Sequence, residues 1–201
     1  MLTVEMPQAV KILVAGGFGA GKTTMVSAVS EIDSFHTEES LTRSGIGIDD
    51  TQGVSLKTHT TVALDFGRIT LNEKLSVFLF GTPGQDRFWF MWEELAAGAL
   101  CAIVLADTRR LATSFPSVDY FERHRLPFVV AVNTFAGARS YRAETVRTAL
   151  DIDSRIPVLD CDARDRISVR ETLVTAVEHA LAMEEAGEHM GHYSDDTKHV
   201  T

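Results

Sequence analysis

The sequence predicts a three-layer α/β fold, with a mostly parallel six-stranded sheet, one antiparallel strand, and helices on both faces. Three observations predict it. Short apolar runs rich in β-branched residues recur along the chain. Segments of helical character stand between most of them. One neighbouring pair of runs is joined by a link too short for a crossover, so that pair is expected to be antiparallel.

The elements follow in order. Residues 10–15, VKILVA, form an apolar run that ends in glycines, the pattern of a buried strand. A helix is expected from Lys22 to about Ser30. Residues 31–57 are polar, acidic and without a clean period, so a long loop is expected there. Residues 60–66 and 75–80 make the antiparallel pair, with Asn72 at its tip. A short helix is expected near 92–97. Further strands are expected at 100–106, 128–132 and 157–160. Helices are expected at 114–124, with Ser114 as a cap and Pro116 in the first turn, and at 143–150. The last helix, 166–186, is read as amphipathic, with Ile167, Leu173, Val174, Val177 and Leu181 on one face.

A chain of 201 residues is expected to form one domain, here 1–186, followed by a tail at 187–201. The tail is poor in apolar residues, so disorder is expected, with His189, His192 and His199 solvated rather than metal-bound. The net charge is −9, and it is concentrated: residues 31–51 carry −5 and residues 184–201 carry −4. That balance argues against non-specific binding to nucleic acid or anionic lipid. Cys101 and Cys161 lie far apart in apolar runs without metal spacing, as buried thiols in a reducing cytoplasm would. Glu5 and Pro7 precede any apolar run, so no signal peptide is expected. Apolar runs of about seven residues are too short to span a bilayer. A cytoplasmic location is expected, with membrane recruitment only through a partner.

One motif carries specific chemistry. GGFGAGKT, residues 16–23, fits G-x-x-x-x-G-K-[ST] between a strand and a helix. Gly16, Gly17, Phe18, Gly19, Ala20 and Gly21 form a tight turn whose N–H groups point inward at phosphate oxygens. Lys22 is a point charge for the outer phosphates, and Thr23 offers a hydroxyl to Mg²⁺. Thr24 follows in the same helical turn, whose dipole also favours an anion. This is the P-loop NTPase pattern of a three-layer fold.

The cradle is followed in order by TTVALDF at 60–66 and GTPGQDRF at 81–88. With these, residues 10–185 resemble the Ras-like small GTPases. TVALDFGRI, GTPGQDRFWFMW and LADTRR bring the likeness nearest to the bacterial members encoded in actinobacterial conservons. The resemblance implies GTP/GDP and Mg²⁺ as ligands and slow hydrolysis of GTP. It implies that Thr61 reaches Mg²⁺ and the γ-phosphate, so that Thr23 and Thr61 are the metal ligands. Gly84 would supply a second γ-phosphate N–H, and Gln85, acting with Lys22, would orient the attacking water. Asn133, Thr134 and Phe135 would meet the base. Ala163, flanked by Asp162 and Arg164, would face the guanine O6. The implied partners are a roadblock-type protein and a sensor-kinase-like protein.

Two positions depart from that pattern. Gly81 stands where the family has the aspartate that supports Mg²⁺, so weaker metal dependence or slower hydrolysis is expected. Thr82 is the neighbouring hydroxyl. Ala136 stands where the family has the carboxylate that reads guanine. Hydrogen bonds to a charged group contribute about 1.5–3 kcal/mol, so preference for guanine over adenine falls by about one to two decades. Phe135 packing on the base would compensate. Asp107 and Thr108 are read as structural, and Lys57 and Arg87 as surface residues before cations acting in cis.

GTPGQDRFWFMW also holds both tryptophans of the chain. Phe88, Trp89, Phe90 and Trp92 cannot all face one way in a regular element. They are read as a nucleotide-gated partner patch, against the alternative of a local core. Three functional readings stay open here. One is a switch that turns over GTP through Gln85. The second is a nucleotide-binding regulatory module with negligible hydrolysis or relaxed ATP/GTP choice, which Gly81 favours. The third is a metabolic kinase, in which GTPGQDRF has no role.

Overall fold

The computed structural model describes residues 8–33, 37–42, 59–84 and 90–187, and for 37–42 and 59–63 it describes the backbone. Strand β1 (Gln8–Ala15) is buried on both faces over Ile12, Leu13, Val14 and Ala15. Successive side chains on a strand point opposite ways. Ile12 and Val14 therefore enter one core, while Leu13 and Ala15 enter another. Such a strand belongs in the middle of a parallel sheet covered on both sides. β1 lies there, as the parallel neighbour of both β4 (Leu75–Gly81) and β5 (Cys101–Ala106). β6 (Phe128–Asn133) and β7 (Val158–Cys161) extend the parallel run. β3 (His59–Asn72) turns back against β4 and is the expected antiparallel strand.

Those six strands are the predicted sheet. A seventh, β2 (Thr37–Thr42), pairs antiparallel with the outer half of β3, giving the order β2-β3-β4-β1-β5-β6-β7. This corrects 37–42 within the long loop expected over 31–57, of which 34–36 and 43–57 lie outside the described residues. TEESLT carries no alternating apolar signal because an edge strand takes its hydrogen bonds from β3 and needs no buried face.

Helices α1 (Lys22–Val29) and α5 (Arg166–Glu185) cover one face of the sheet. Helices α2 (Trp92–Ala96), α3 (Phe115–His124) and α4 (Ala143–Leu150) cover the other. The buried side of α5 is Val169, Leu173, Ala176 and Ala180, spaced as one helical face. That corrects the expected face. Leu173 and Val177 pack inward, but Ile167, Val174 and Leu181 are 67%, 55% and 48% exposed. Small residues won the inner stripe: Ala176 and Ala180 let the helix lie close to the sheet. Asp165 caps α5 by accepting from the Ile167 N–H at 3.1 Å.

Ser114 makes no side-chain cap bond, which corrects its expected role. A 3₁₀ turn, Leu111–Ser114, runs straight into α3 and leads the chain in, with Pro116 in the first turn as expected. Cys101 and Cys161 are buried, and burial pushes the Cys101 thiol up to about 12. No helix among the described residues is long and apolar enough to cross a membrane. The tail expectation for 187–201 falls, beyond Gly187, outside the described residues.

Candidate functional site

The carboxyl ends of β1, β4, β5 and β6 lie along one edge of the sheet, the usual place for ligands in an open α/β sheet. At its phosphate end β1 runs into the glycine-rich loop. Gly21 has φ +106°, a backbone that side-chain-bearing residues rarely adopt. A Cβ there would also lie 2.6 Å from the Asn133 amide nitrogen. The loop curls around Lys22, whose Nζ donates to the carbonyls of Gly16 at 2.8 Å and Gly17 at 2.9 Å. Burial pulls the Lys22 ammonium down to about 8, opposed by the nearby Asp65 carboxylate. Thr23 Oγ1 donates to Asp65 Oδ2 at 2.8 Å.

Gly84 closes this end. A Cβ on it would meet Lys22 Nζ at 2.7 Å and the Phe18 backbone nitrogen at 2.9 Å, so the GTPG segment lies directly on the cradle. The Phe18 side chain is exposed at the loop tip, and its carbonyl accepts from Arg110 Nη2 at 2.8 Å. Thr24 is exposed on the first turn of α1.

At the base end the central residue is Asn133, buried at the end of β6. Its amide nitrogen donates to the Ala20 carbonyl at 2.8 Å, and its Oδ1 accepts from the Ala163 N–H at 3.0 Å. One side chain thus ties the cradle to the 162–164 turn. The Thr134 N–H donates to the Cys161 carbonyl at 2.8 Å. Asp162 and Arg164 form a fork, with bonds of 2.8 and 2.7 Å, that holds the Asp162 carboxyl at about 2. Ala136 is exposed.

Asp107, 1% exposed, stands between the two ends. It accepts from Arg109 Nε at 2.8 Å and Nη2 at 2.7 Å, and from Arg110 Nη2 at 3.4 Å. Those arginine bonds, Arg109's above all, hold its carboxyl below the usual range. The Arg109 guanidinium lies 3.6 Å over the Phe135 ring. Asp107 thus holds both arginines in place, in keeping with the structural role expected of it.

The structure thus brings together residues 16–24 and Gly84 at one end, and Asn133, Thr134, Phe135, Asp162, Ala163 and Arg164 at the other. Thr61 is a backbone position in β3 opposite Ser40. Gln85, Phe88 and Trp89 lie outside the described residues, as do Lys57 and Arg87. Trp92 is a correction. It is 3% exposed and packs on Tyr120 and Phe121 with ring centroids 5.0 and 5.6 Å away, so it belongs to the core and not to an exposed patch. Its place as first residue of α2 turns the ring onto α3. Phe90, two residues earlier, is 60% exposed.

Sequence reasoning missed Asp65. The signal was an acid inside the apolar strand TTVALDF. The Thr23 hydroxyl and the Asp65 carboxylate are hard oxygen donors, and they fit a Mg²⁺ ion bound with phosphate. A separate cavity of about 860 Å³ opens at the amino ends of β6 and β7, lined by Phe121, Arg125, Phe128, His179 and Met183 among others, and shares no residue with this groove.

A strand–loop–helix phosphate cradle, with an antiparallel strand inserted before β4, defines a P-loop protein with the α/β fold of the GTPases. More particularly, residues 14–183 match the family model described as "Conserved hypothetical ATP binding protein", and the chain belongs to that family. It is 30% identical over 126 residues to an uncharacterized protein of Methanocaldococcus jannaschii, covering 62% of this chain and 69% of that one. It is 23% identical over 202 residues to the Ypt/Rab-type GTPase avaA of Emericella nidulans, covering 92% and 88%. Among solved structures it resembles the G domain of the T. maritima FeoB iron transporter. That match has a TM-score of 0.57 and 18% identity, and covers 86% of this chain and 99% of that one.

Proposed function

We propose that this protein is a GTP-binding molecular switch that hydrolyses GTP slowly. The observation that carries the reading is the seat of Gly84 on Lys22 and on the Phe18 amide. On this reading a γ-phosphate held by the cradle would meet the Gly84 N–H, and its loss would change what holds the segment that follows. A kinase for small metabolites has no use for such a contact. The likeness to a Ypt/Rab-type GTPase over most of the chain supports guanine nucleotide as the ligand.

On this reading Lys22 and the loop amides bind the phosphates, and Gly84 senses the last of them. Gln85 orients the water, and Asn133 keeps the base end in register with the cradle. Thr23 and Thr61 hold Mg²⁺, which when bound neutralises charge on the phosphate oxygens. The output is a roadblock-type partner, with a sensor kinase behind it. Phe90 is the described aromatic left to meet that partner once Trp92 is assigned to the core.

A second reading has its own support. The family description names ATP, and Ala136 removes the carboxylate that would reject adenine. Arg109 stacked on Phe135 offers a planar surface that takes either purine. On this alternative the protein is a regulatory module with relaxed base choice and negligible turnover.

Equilibrium binding of fluorescent GTP and ATP, followed by single-turnover hydrolysis, separates the two. The switch reading expects GTP preference and slow turnover that Gln85→Leu abolishes. Lys22→Ala is expected to weaken binding of either nucleotide by about 100-fold or more, since it removes charge-assisted bonds of about 1.5–3 kcal/mol each. Full affinity in Lys22→Ala would remove the cradle assignment and both readings with it.

A further inference from the structure

Gly81 is the last residue of β4, at the lip of the phosphate site. A glycine there leaves Mg²⁺ without the carboxylate that the resemblance places at this position. The β3–β4 register sets Asp65 directly opposite Gly81. Residues opposite each other in an antiparallel pair carry their side chains on the same face. A Cβ built on Gly81 would lie 2.8 Å from both Cβ and Oδ2 of Asp65. The Asp65 side chain therefore fills the volume that an acid at 81 would need, and the two positions cannot both carry one. Asp65 is 9% exposed, takes the Thr23 hydroxyl at 2.8 Å, and acts electrostatically on Lys22. Thr82, the other neighbour, has a buried hydroxyl with no hydrogen-bond partner among the described residues.

We propose that Asp65 is the metal-positioning carboxylate of this protein, moved from the end of β4 to the facing position on β3. It orients the Thr23 oxygen toward Mg²⁺ and accepts hydrogen bonds from the ion's water. Gly81 is then the space that lets Asp65 do this, and metal dependence is retained rather than lost. This inference rests on the reading of the site as one for a magnesium–nucleotide complex.

The test compares metal affinity of the nucleotide-bound protein, read by Mn²⁺ electron paramagnetic resonance and by the acceleration of fluorescent-GDP release on chelation. Asp65→Asn keeps the volume and an acceptor for Thr23 but removes the charge. It is expected to lower metal affinity by about 10–100-fold, as loss of a second-layer partner does. Gly81→Asp alone is expected to lower it too, because the new side chain collides with Asp65. Combined with Asp65→Gly, which also removes the colliding Cβ, Gly81→Asp is expected to restore metal affinity. A purely structural Asp65 would leave metal affinity unmoved in Asp65→Asn, and that result overturns the proposal while leaving the magnesium–nucleotide reading intact. A wild-type protein whose nucleotide complex binds no divalent ion overturns both. If Asp65→Asn does not fold, the paired exchange decides: a folded, nucleotide-binding variant without restored metal affinity overturns the proposal.

Discussion

The phosphate end and the base end of the groove each lack a carboxylate that the wider resemblance expects, at Gly81 and at Ala136. The phosphate end has an acid in the same volume, delivered by Asp65 from the facing strand. At the base end Asp162 is committed to Arg164, and Asp107 to Arg109 and Arg110. The difference has a mechanical origin. Strand register places two side chains face to face, so an acid can cross from one strand to the next without changing where its oxygens lie. A surface turn such as the one holding Ala136 has no facing partner on a neighbouring strand.

The comparison can be broken from its shared point first. Asn133 touches both ends, and Asn133→Ala strands the buried Ala20 carbonyl and Ala163 N–H. Urea denaturation is expected to show a loss of about 2–4 kcal/mol. A loss under about 0.5 kcal/mol, the range of an ordinary surface change, would mean the ends are held together by something else. Restoring the base-end acid is the next largest effect. Ala136→Asp is expected to raise the preference for GTP over ATP by about 10–100-fold in competition binding, with Asp65→Asn leaving that ratio alone. An unchanged ratio would show that the base is not read from this turn.

The smallest effect is a proton. Burial pulls the Lys22 ammonium down to about 8, while a bound phosphate favours the charged form and raises that value. Binding above pH 8 must then take up a proton, so affinity falls as pH rises. Between about pH 7 and pH 9 the dissociation constant is expected to grow about tenfold, equally for GTP and ATP, since the base end carries no part of it. Calorimetry in buffers of different ionisation enthalpy would count the proton.

Much of this was legible in the chain. The cradle announces itself because its chemistry is local: glycines, lysine and threonine act at fixed spacing along one turn. The sheet was legible from its buried strands, whose apolar runs have no other use. What stayed hidden depends on partners across space. Asp65 is an acid within an apolar run, and only strand pairing sets it against Gly81. Trp92 was placed in the partner patch because the aromatic run cannot all face one way, and it is buried at the start of α2. The inner face of α5 was misjudged because alanines, not the largest residues, meet the sheet. β2 was unreadable because an edge strand needs only backbone partners.

Asp107 has a further consequence. One buried carboxylate holds Arg110 toward the loop tip and Arg109 toward the aromatic ring. The span between the two is thereby fixed by the protein, like the jaws of a set calliper.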